Sequence, residues 1–139
     1  MPRALSIRQP WAAAIAHGPK RVENRSWFAT YRGPLLLHSS KTLDRTAMRH
    51  PLISPILRGL PLETGAVVGV AQLVDWHRDD GECTPWSFPG HHHLVLEEVT
   101  PLSLPVPVAQ GALQLWTPSE ELLEQVRIQL DERWTEALR

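Results

Sequence analysis

"LSIRQPWAAAIAHGPKRVENRSW", residues Leu5–Trp27, sets Arg8, Lys20, Arg21 and Arg25 around two tryptophans with a single acid, Glu23. "RALSI" just before and within it reads as a strand. "QPWAAAIAHG" reads as a short helix: Pro10 suits a first helical position, where its missing N–H costs nothing, and the alanines favour helix. Gly18 is a natural stop with a positive φ angle, and Pro19 reinforces it. "KRVENRSW" then alternates as a strand, with Val22 and Asn24 on one face and Arg21, Glu23 and Arg25 on the other. Lys20 stands at its entrance. Gly18, Lys20, Glu23 and Arg25 together spell G-x-K-x-x-E-x-R.

Outward from there, "TYRGPLLLHSSK" predicts a turn at Gly33-Pro34 leading into a buried strand from Leu35 to Ser39. The following stretch is mixed, with helical pieces interrupted by Pro51 and Pro55. "GAVVGVAQLVDWH", opened by Gly65, is the strongest strand. "RDDGECTPWSFPGHH" has loop composition, "HLVLEEVTPLSL" is another strand, and "GALQLW" a last short one. A C-terminal helix is expected over about 119–138. Thr117-Pro118-Ser119-Glu120 fits a capping box with Pro118 at the first helical position, and Leu123, Val126, Leu130 and Trp134 recur at helical spacing. Five to six short, mostly antiparallel strands with one early and one late helix give a single α+β domain over 1–139. A small β-barrel that closes its own edges fits them better than a doubly wound sheet.

Composition narrows the class. At 139 residues, with 42% hydrophobic and 21% charged, the chain buries about two thirds of its unfolded surface and needs no metal or disulfide to fold. A single cysteine, Cys83, points to a reducing compartment. No signal peptide is visible, and apolar runs such as "GAVVGVAQLV" are too short to span a bilayer. The expectation is a cytoplasmic protein with no membrane role; nothing here sets an oligomeric state. The net charge of −1 conceals an asymmetry. Residues 1–60 hold ten Lys or Arg and two acids, whereas 61–139 hold four Arg and thirteen acids. A phosphate-bearing partner for the first half is one reading; neutralisation across an interleaved surface is the other.

Lys20 offers a compact point charge and Arg25 a planar fork that fits phosphate or stacks on a base. Glu23 between them has three readings: it holds the two cations, accepts from a base amino group, or acts as a general base. A surface ion-pair cluster of little energetic weight is the alternative to all three. Trp11 and Trp27 bracket the basic stretch, as base-stacking aromatics do, or else lie in the core. Ser6, Arg8 and Gln9 sit on the turn before the helix, where such groups meet an anion or a base edge or cap the helix. His91–His93 with Cys83 and His77 raises the question of zinc, but the spacing matches no established site and consecutive histidines on a strand face opposite ways. Asp75, Asp79 and Asp80 could ligate a divalent ion, but a solvated acidic loop is the preferred reading. Trp86 in "TPW" is a candidate lid over the cleft. No cofactor and no metal are expected.

The residues quoted from Ala4 to Trp27, followed by "YRGPLLLHSSK", strongly resemble the ASCH domains of the PUA-like superfamily. The G-x-K-x-x-E-x-R positions match that family's signature, while "LSIRQPW" and "RGPLLLHSSK" match its small stand-alone members. The resemblance extends to about Trp116. It implies a PUA-like β-barrel with a cleft beside the first helix, and RNA or a modified nucleoside as the ligand class. It also implies that His38, Ser40 and Lys41 lie near that cleft; a satisfied core histidine is the other reading of His38. Some members of the family are ribonucleases, and some short ones hydrolyse N4-acetylcytidine with a lysine, a threonine and a glutamate. The lysine corresponds to Lys20. Glu23 stands where the threonine would be, and the third residue has no clear counterpart.

The reading that results is an RNA- or nucleoside-binding cleft lined by Lys20, Glu23 and Arg25. An amidohydrolase or ribonuclease on that cleft, with Lys20 and Glu23 catalytic, is the alternative. A protein-interaction module is the third.

Overall fold

A computed structural model describes residues 1–79, 81, 83–108 and 110–139; Asp80 of the acidic loop lies outside the described residues. The elements run β1 (Arg3–Gln9), α1 (Trp11–Ala16), β2 (Val22–Arg25), β3 (Gly33–Leu43), β4 (Ala66–Arg78), β5 (His92–Pro107), β6 (Leu115–Trp116), α2 (Glu120–Arg127) and α3 (Glu132–Ala137). The strands form one sheet in the order β2-β5-β4-β3-β1-β6. β1 runs parallel to β3, and every other neighbouring pair is antiparallel.

The architecture is the expected α+β one, with two corrections. The sheet curls into a half-barrel and leaves β2 and β6 at its ends, so it does not close its edges by pairing. Its central strands are also long: β4 has 13 residues and β5 has 16, with register shifts between them at Val67/Gly69, Val70/Gln72 and Leu73/Asp75. Such bulges add local bend and twist, which lets two long strands curl.

Both faces of the sheet are covered. Leu5, Ile7, Leu35, Leu37, Leu73 and Trp76 pack on one side with Ala12 and Ile15 of α1. Ala4, Leu36, Val67 and Val70 pack on the other with Leu122, Leu123 and Val126 of α2 and Trp134 after it. Strand side chains alternate between faces, so a run such as Leu35-Leu36-Leu37 is apolar throughout because each face has its own core.

The C-terminal helix is two helices. Ser119, not Thr117, is the N-cap of α2: its hydroxyl accepts from the Leu122 amide at 3.1 Å, which places Pro118 just outside the helix. Asp131 caps α3 by accepting from the Trp134 amide at 3.1 Å. A cap in mid-stretch favours a fresh start over continuation, and the apolar spacing survives the break.

The expected helix α1 is present, but Pro10 is its N-cap, joined to Gln9 by a cis peptide bond. Gly18 also acts differently from expectation. The positive-φ glycines are Gly33, Gly65, Gly81 and Gly90. At Gly18 the constraint is space: a Cβ would lie 2.8 Å from the Ala14 carbonyl oxygen, the same oxygen that accepts from the Lys20 amide at 3.1 Å. Arg21 leaves the face it was expected to share with Glu23 and Arg25. Its Nη1 donates to the carbonyls of Ile15, Gly18 and Lys20 at 3.1, 2.9 and 2.9 Å, so it caps the end of α1. Gly18→Ala is therefore expected to cost about 1–3 kcal/mol by overpacking this turn, measured as a lower urea midpoint with an unchanged slope.

Candidate nucleic-acid interface

Glu23 sits at the centre of a buried charge cluster. Its Oε1 lies 3.1 Å from Lys20 Nζ. Its Oε2 accepts from Arg25 Nη2 at 2.9 Å and from Arg25 Nε at 3.2 Å. Lys20 is 1% exposed and Glu23 7%, which removes this trio from the class of weak surface pairs. Lys20 Nζ also donates to the Val22 carbonyl and lies 5.5 Å from the centroid of the Trp11 ring, within cation–π range.

Arg25 does more than neutralise. Its Nη2 donates to the Ser6 carbonyl at 2.9 Å. Ser6 is on β1 and Arg25 on β2, and these strands are not neighbours in the sheet. The guanidinium therefore spans the open side of the half-barrel.

Burial pulls the Lys20 ammonium below its ordinary range, against the upward pull of Glu23 and with a further downward push from Arg25. For Glu23 burial would raise the value, but the charges and hydrogen bonds of Lys20 and Arg25 outweigh it and hold the carboxyl below its usual range. The cluster thus keeps an ionised glutamate and makes its lysine easier to deprotonate than a free one.

Over this cluster opens a cavity of about 380 Å³, lined by Ser6, Arg8, Trp11, Lys20, Glu23, Arg25 and Trp27 among the residues singled out in the sequence. Trp11 forms one wall, its Nε1 donating to Asp44 Oδ2 at 3.1 Å. Trp27 leans on Trp76 with ring centroids 5.0 Å apart. Arg8 is exposed, 3.8 Å from Asp44. Ser6 contributes its backbone; its hydroxyl accepts from Trp116 Nε1 at 3.1 Å and pairs with His38 Nδ1 at 2.8 Å.

Four expected residues do not line the cavity. His38 is buried between Ser6 and the Val108 carbonyl, 2.9 Å from its Nε2, as a satisfied core histidine. Gln9 is buried; its Oε1 accepts from the Ala13 amide at 2.9 Å and its Nε2 donates to the Glu63 carbonyl at 2.7 Å, so it caps α1 and ties down a distant loop. Ser40 Oγ is buried with no hydrogen-bond partner among the described residues. Lys41 is exposed beside Gly65.

The loop between β4 and β5 supplies what the sequence reading missed: Phe88 and His91 line the cavity, as do Ser26, Asn24 and Asp44 nearer the signature. Trp86 is no lid. It is 7% exposed and packs with Ala14 and Ile53, anchoring the loop from below. Asn24 holds the same loop on both sides, donating to the Trp86 carbonyl at 2.9 Å and accepting from the Phe88 amide at 2.8 Å. Phe88 then meets Trp11 edge to face, 5.8 Å between centroids. "SFPG" after "TPW" was the one available signal, an aromatic beside Pro-Gly in a loop entering a strand.

Glu23→Gln leaves Lys20 buried beside a neutral amide and is expected to cost about 3–5 kcal/mol. Lys20→Met should cost less, since Arg25 still pairs with Glu23; urea midpoints for the two variants give the order. The pH dependence follows from the depressed carboxyl. Its stabilisation is in place above the ordinary value of 4.5 and is lost as pH falls through the lower folded value. Lys20, also depressed, has the same sign in a higher window: stability grows as pH rises from its folded value toward the ordinary 10.5. Acid titration of stability should therefore be shallower in Glu23→Gln than in the parent chain.

Comparison with known proteins agrees with this architecture. The chain is 33% identical to human Activating signal cointegrator 1 over 79 residues, covering 51% of this chain and 14% of that protein. It is 32% identical to the mouse protein of the same name over 79 residues, with the same coverage. The match thus involves only a small part of those longer relatives. Among solved structures, a ZmASCH mutant protein from Zymomonas mobilis superposes with a TM-score of 0.58 at 14% identity, covering 89% of this chain and 94% of that one. That likeness shows the ASCH/PUA-like fold. Among the described residues no helix is long and apolar enough to cross a membrane. The family model for the ASCH domain matches residues 5–103, spanning β1, the signature and most of β5, and the chain belongs to the ASCH domain family.

Proposed function

We propose that the cleft binds RNA by receiving one unstacked base, or a modified nucleoside, against the Lys20–Glu23–Arg25 cluster. The observation that carries this reading is the joining of buried, directional charge to aromatic walls in one cavity of about 380 Å³. A volume of that order suits one small ligand, and a base that has left its stack is the part of RNA such a cavity accepts. Trp11, Trp27 and Phe88 offer faces and edges for stacking. Glu23 Oε2 takes both Arg25 donors, whereas Oε1 is engaged by Lys20 alone and keeps a lone pair for an exocyclic amino group. Arg8, exposed at the mouth, meets the phosphate.

One observation favours catalysis on the same cleft as a second reading. A lysine held below its ordinary range and in contact with a carboxylate has the features of a group that positions a substrate and moves a proton. Lys20 would then polarise the scissile amide of an N4-acylated cytidine while Glu23 handles the proton. Incubation with N4-acetylcytidine decides it: release of cytidine supports hydrolysis, and no product at high protein concentration eliminates it.

For binding, tryptophan fluorescence titrations with a short single-stranded RNA are the measurement. Affinity should fall with salt, with a slope of about −0.7 per phosphate contact in a log–log plot. Trp11→Ala should weaken binding by about 5–100-fold through lost stacking. Arg8→Ala should reduce the salt slope by about one contact. Affinity insensitive to both salt and Trp11 overturns the proposal.

A further inference from the structure

Where the connecting loop closes the β4–β5 hairpin, His77, Cys83 and His93 bring one donor atom each to within 4.8 Å of one another. The sequence spacing resembles no established site because the three are joined by the fold. His77 and His93 face each other across the β4–β5 ladder, with rings 5.3 Å apart. Cys83 comes back to them from the connecting loop. We propose that these three residues form a binding site for a zinc-type transition-metal ion.

The hydrogen bonds around the cluster set its chemistry. His93 Nε2 lies 3.0 Å from the Phe88 carbonyl. A carbonyl only accepts, so that nitrogen carries the proton and Nδ1 presents its lone pair. Nδ1 is the atom facing Cys83, 3.5 Å from Sγ. The Phe88 carbonyl thus fixes the tautomer of the His93 ring, as outer partners do at metal sites. His77 Nδ1 lies 2.8 Å from the Arg78 carbonyl, which holds its ring in place beside the other two residues. His93 is fully buried and also has Asp79 Oδ1 3.9 Å from its protonated Nε2. That carboxylate is held by the amides of Gly81 and Gly90 at 3.2 and 2.7 Å.

The dimensions fit. Zn–S and Zn–N bonds of about 2.3 and about 2.0 Å at a tetrahedral angle place sulfur and nitrogen about 3.5 Å apart, the spacing of Cys83 and His93. Two imidazoles and a thiol select zinc and its soft neighbours over magnesium or calcium. Three protein donors leave the fourth tetrahedral position to water. Cys83 is exposed, so the ion has a route in. On binding, the S–H bond breaks, its proton goes to solvent, and the thiolate electron pair forms the bond to the metal. The bound ion would fasten the loop that also carries Phe88 and His91.

The test is a titration of the full chain, reduced and stripped of metal, with Zn²⁺ against a chromophoric chelator, and with Co²⁺ as a spectroscopic probe. One equivalent of Zn²⁺ is expected. The Co²⁺ form should show a thiolate-to-metal charge-transfer band and the intense visible bands of tetrahedral coordination. Cys83→Ser, a change at an exposed side chain that preserves folding, should abolish the charge-transfer band and weaken Zn²⁺ binding more than about 100-fold, beyond the effect of losing an outer partner. His17→Ala, at an exposed histidine outside the cluster, should leave binding unchanged. The proposal is overturned by a chain that takes up no Zn²⁺, by Cys83→Ser binding as well as the parent, or by a Co²⁺ complex without the charge-transfer band. Each of these outcomes stands apart from whether the cleft binds RNA.

Discussion

The Arg25 guanidinium, shared between the Glu23 carboxylate and the Ser6 carbonyl, is the contact on which the cleft depends. The sheet runs from β2 to β6 and does not close. β1 and β2 approach across its open side, and an open side exposes polar edges and invites collapse. A planar donor fork bridges that gap with direction, which an apolar contact cannot do. Glu23 must then be buried to meet the fork, and a buried carboxylate demands a second cation to complete its partners. Lys20 supplies it, delivered by the turn at Gly18. The signature spacing is thus the minimum chain that places a lysine, a glutamate and an arginine on one side of a helix end and a four-residue strand.

Local features were legible because local physics decides them. The α1 segment could be read from its alanines, and β2 from alternation. That Glu23 and Arg25 share a face followed from period two alone. Arg21 broke the same pattern because the open carbonyls at the end of α1 compete for it, and periodicity carries no information on such competition. Gly18 was correctly placed as a stop with the wrong reason attached, since close approach and positive φ look identical in sequence. The C-terminal helix split because Asp131 caps as well as it continues. Sheet order and the bulges of β4 and β5 are long-range properties, and no short window encodes them. The residues and the resemblance to the family both pointed to a small barrel of mostly antiparallel strands; that its sheet stays open as a half-barrel is a long-range property too.

The walls of the cleft differ in how they are held. The signature side stands on strands and on α1, packed on a contiguous core. The far side, Phe88 and His91, comes from a loop held by Trp86 in a small separate cluster, by one hydrogen bond donated and one accepted by Asn24, by His93 at the Phe88 carbonyl and by the Asp79 carboxylate at its base. Loops carry binding residues on rigid scaffolds as a rule. Here the scaffold residue Asn24 belongs to the signature strand itself, directly between Glu23 and Arg25. The strand therefore presents charge to the cleft with one face and fastens the opposite wall with the other, so a single four-residue element sets the distance between them.

The charge asymmetry of the sequence also acquires a spatial form. The acids of α2 and α3 cover the second core, on the sheet face opposite α1. There they are partly met by nearby arginines: Arg127 pairs with Glu120 and Glu124, and Arg139 with Glu136, while Arg133 reaches Glu98 of β5. Arg8 and Arg25 line the cleft on the other side of the sheet. The division is partial, because Asp44 stands beside Arg8 at the mouth and Asp79 holds the loop that carries the far wall. A chain of net charge −1 thus keeps two arginines at the cleft while the acids of its last two helices lie across the sheet.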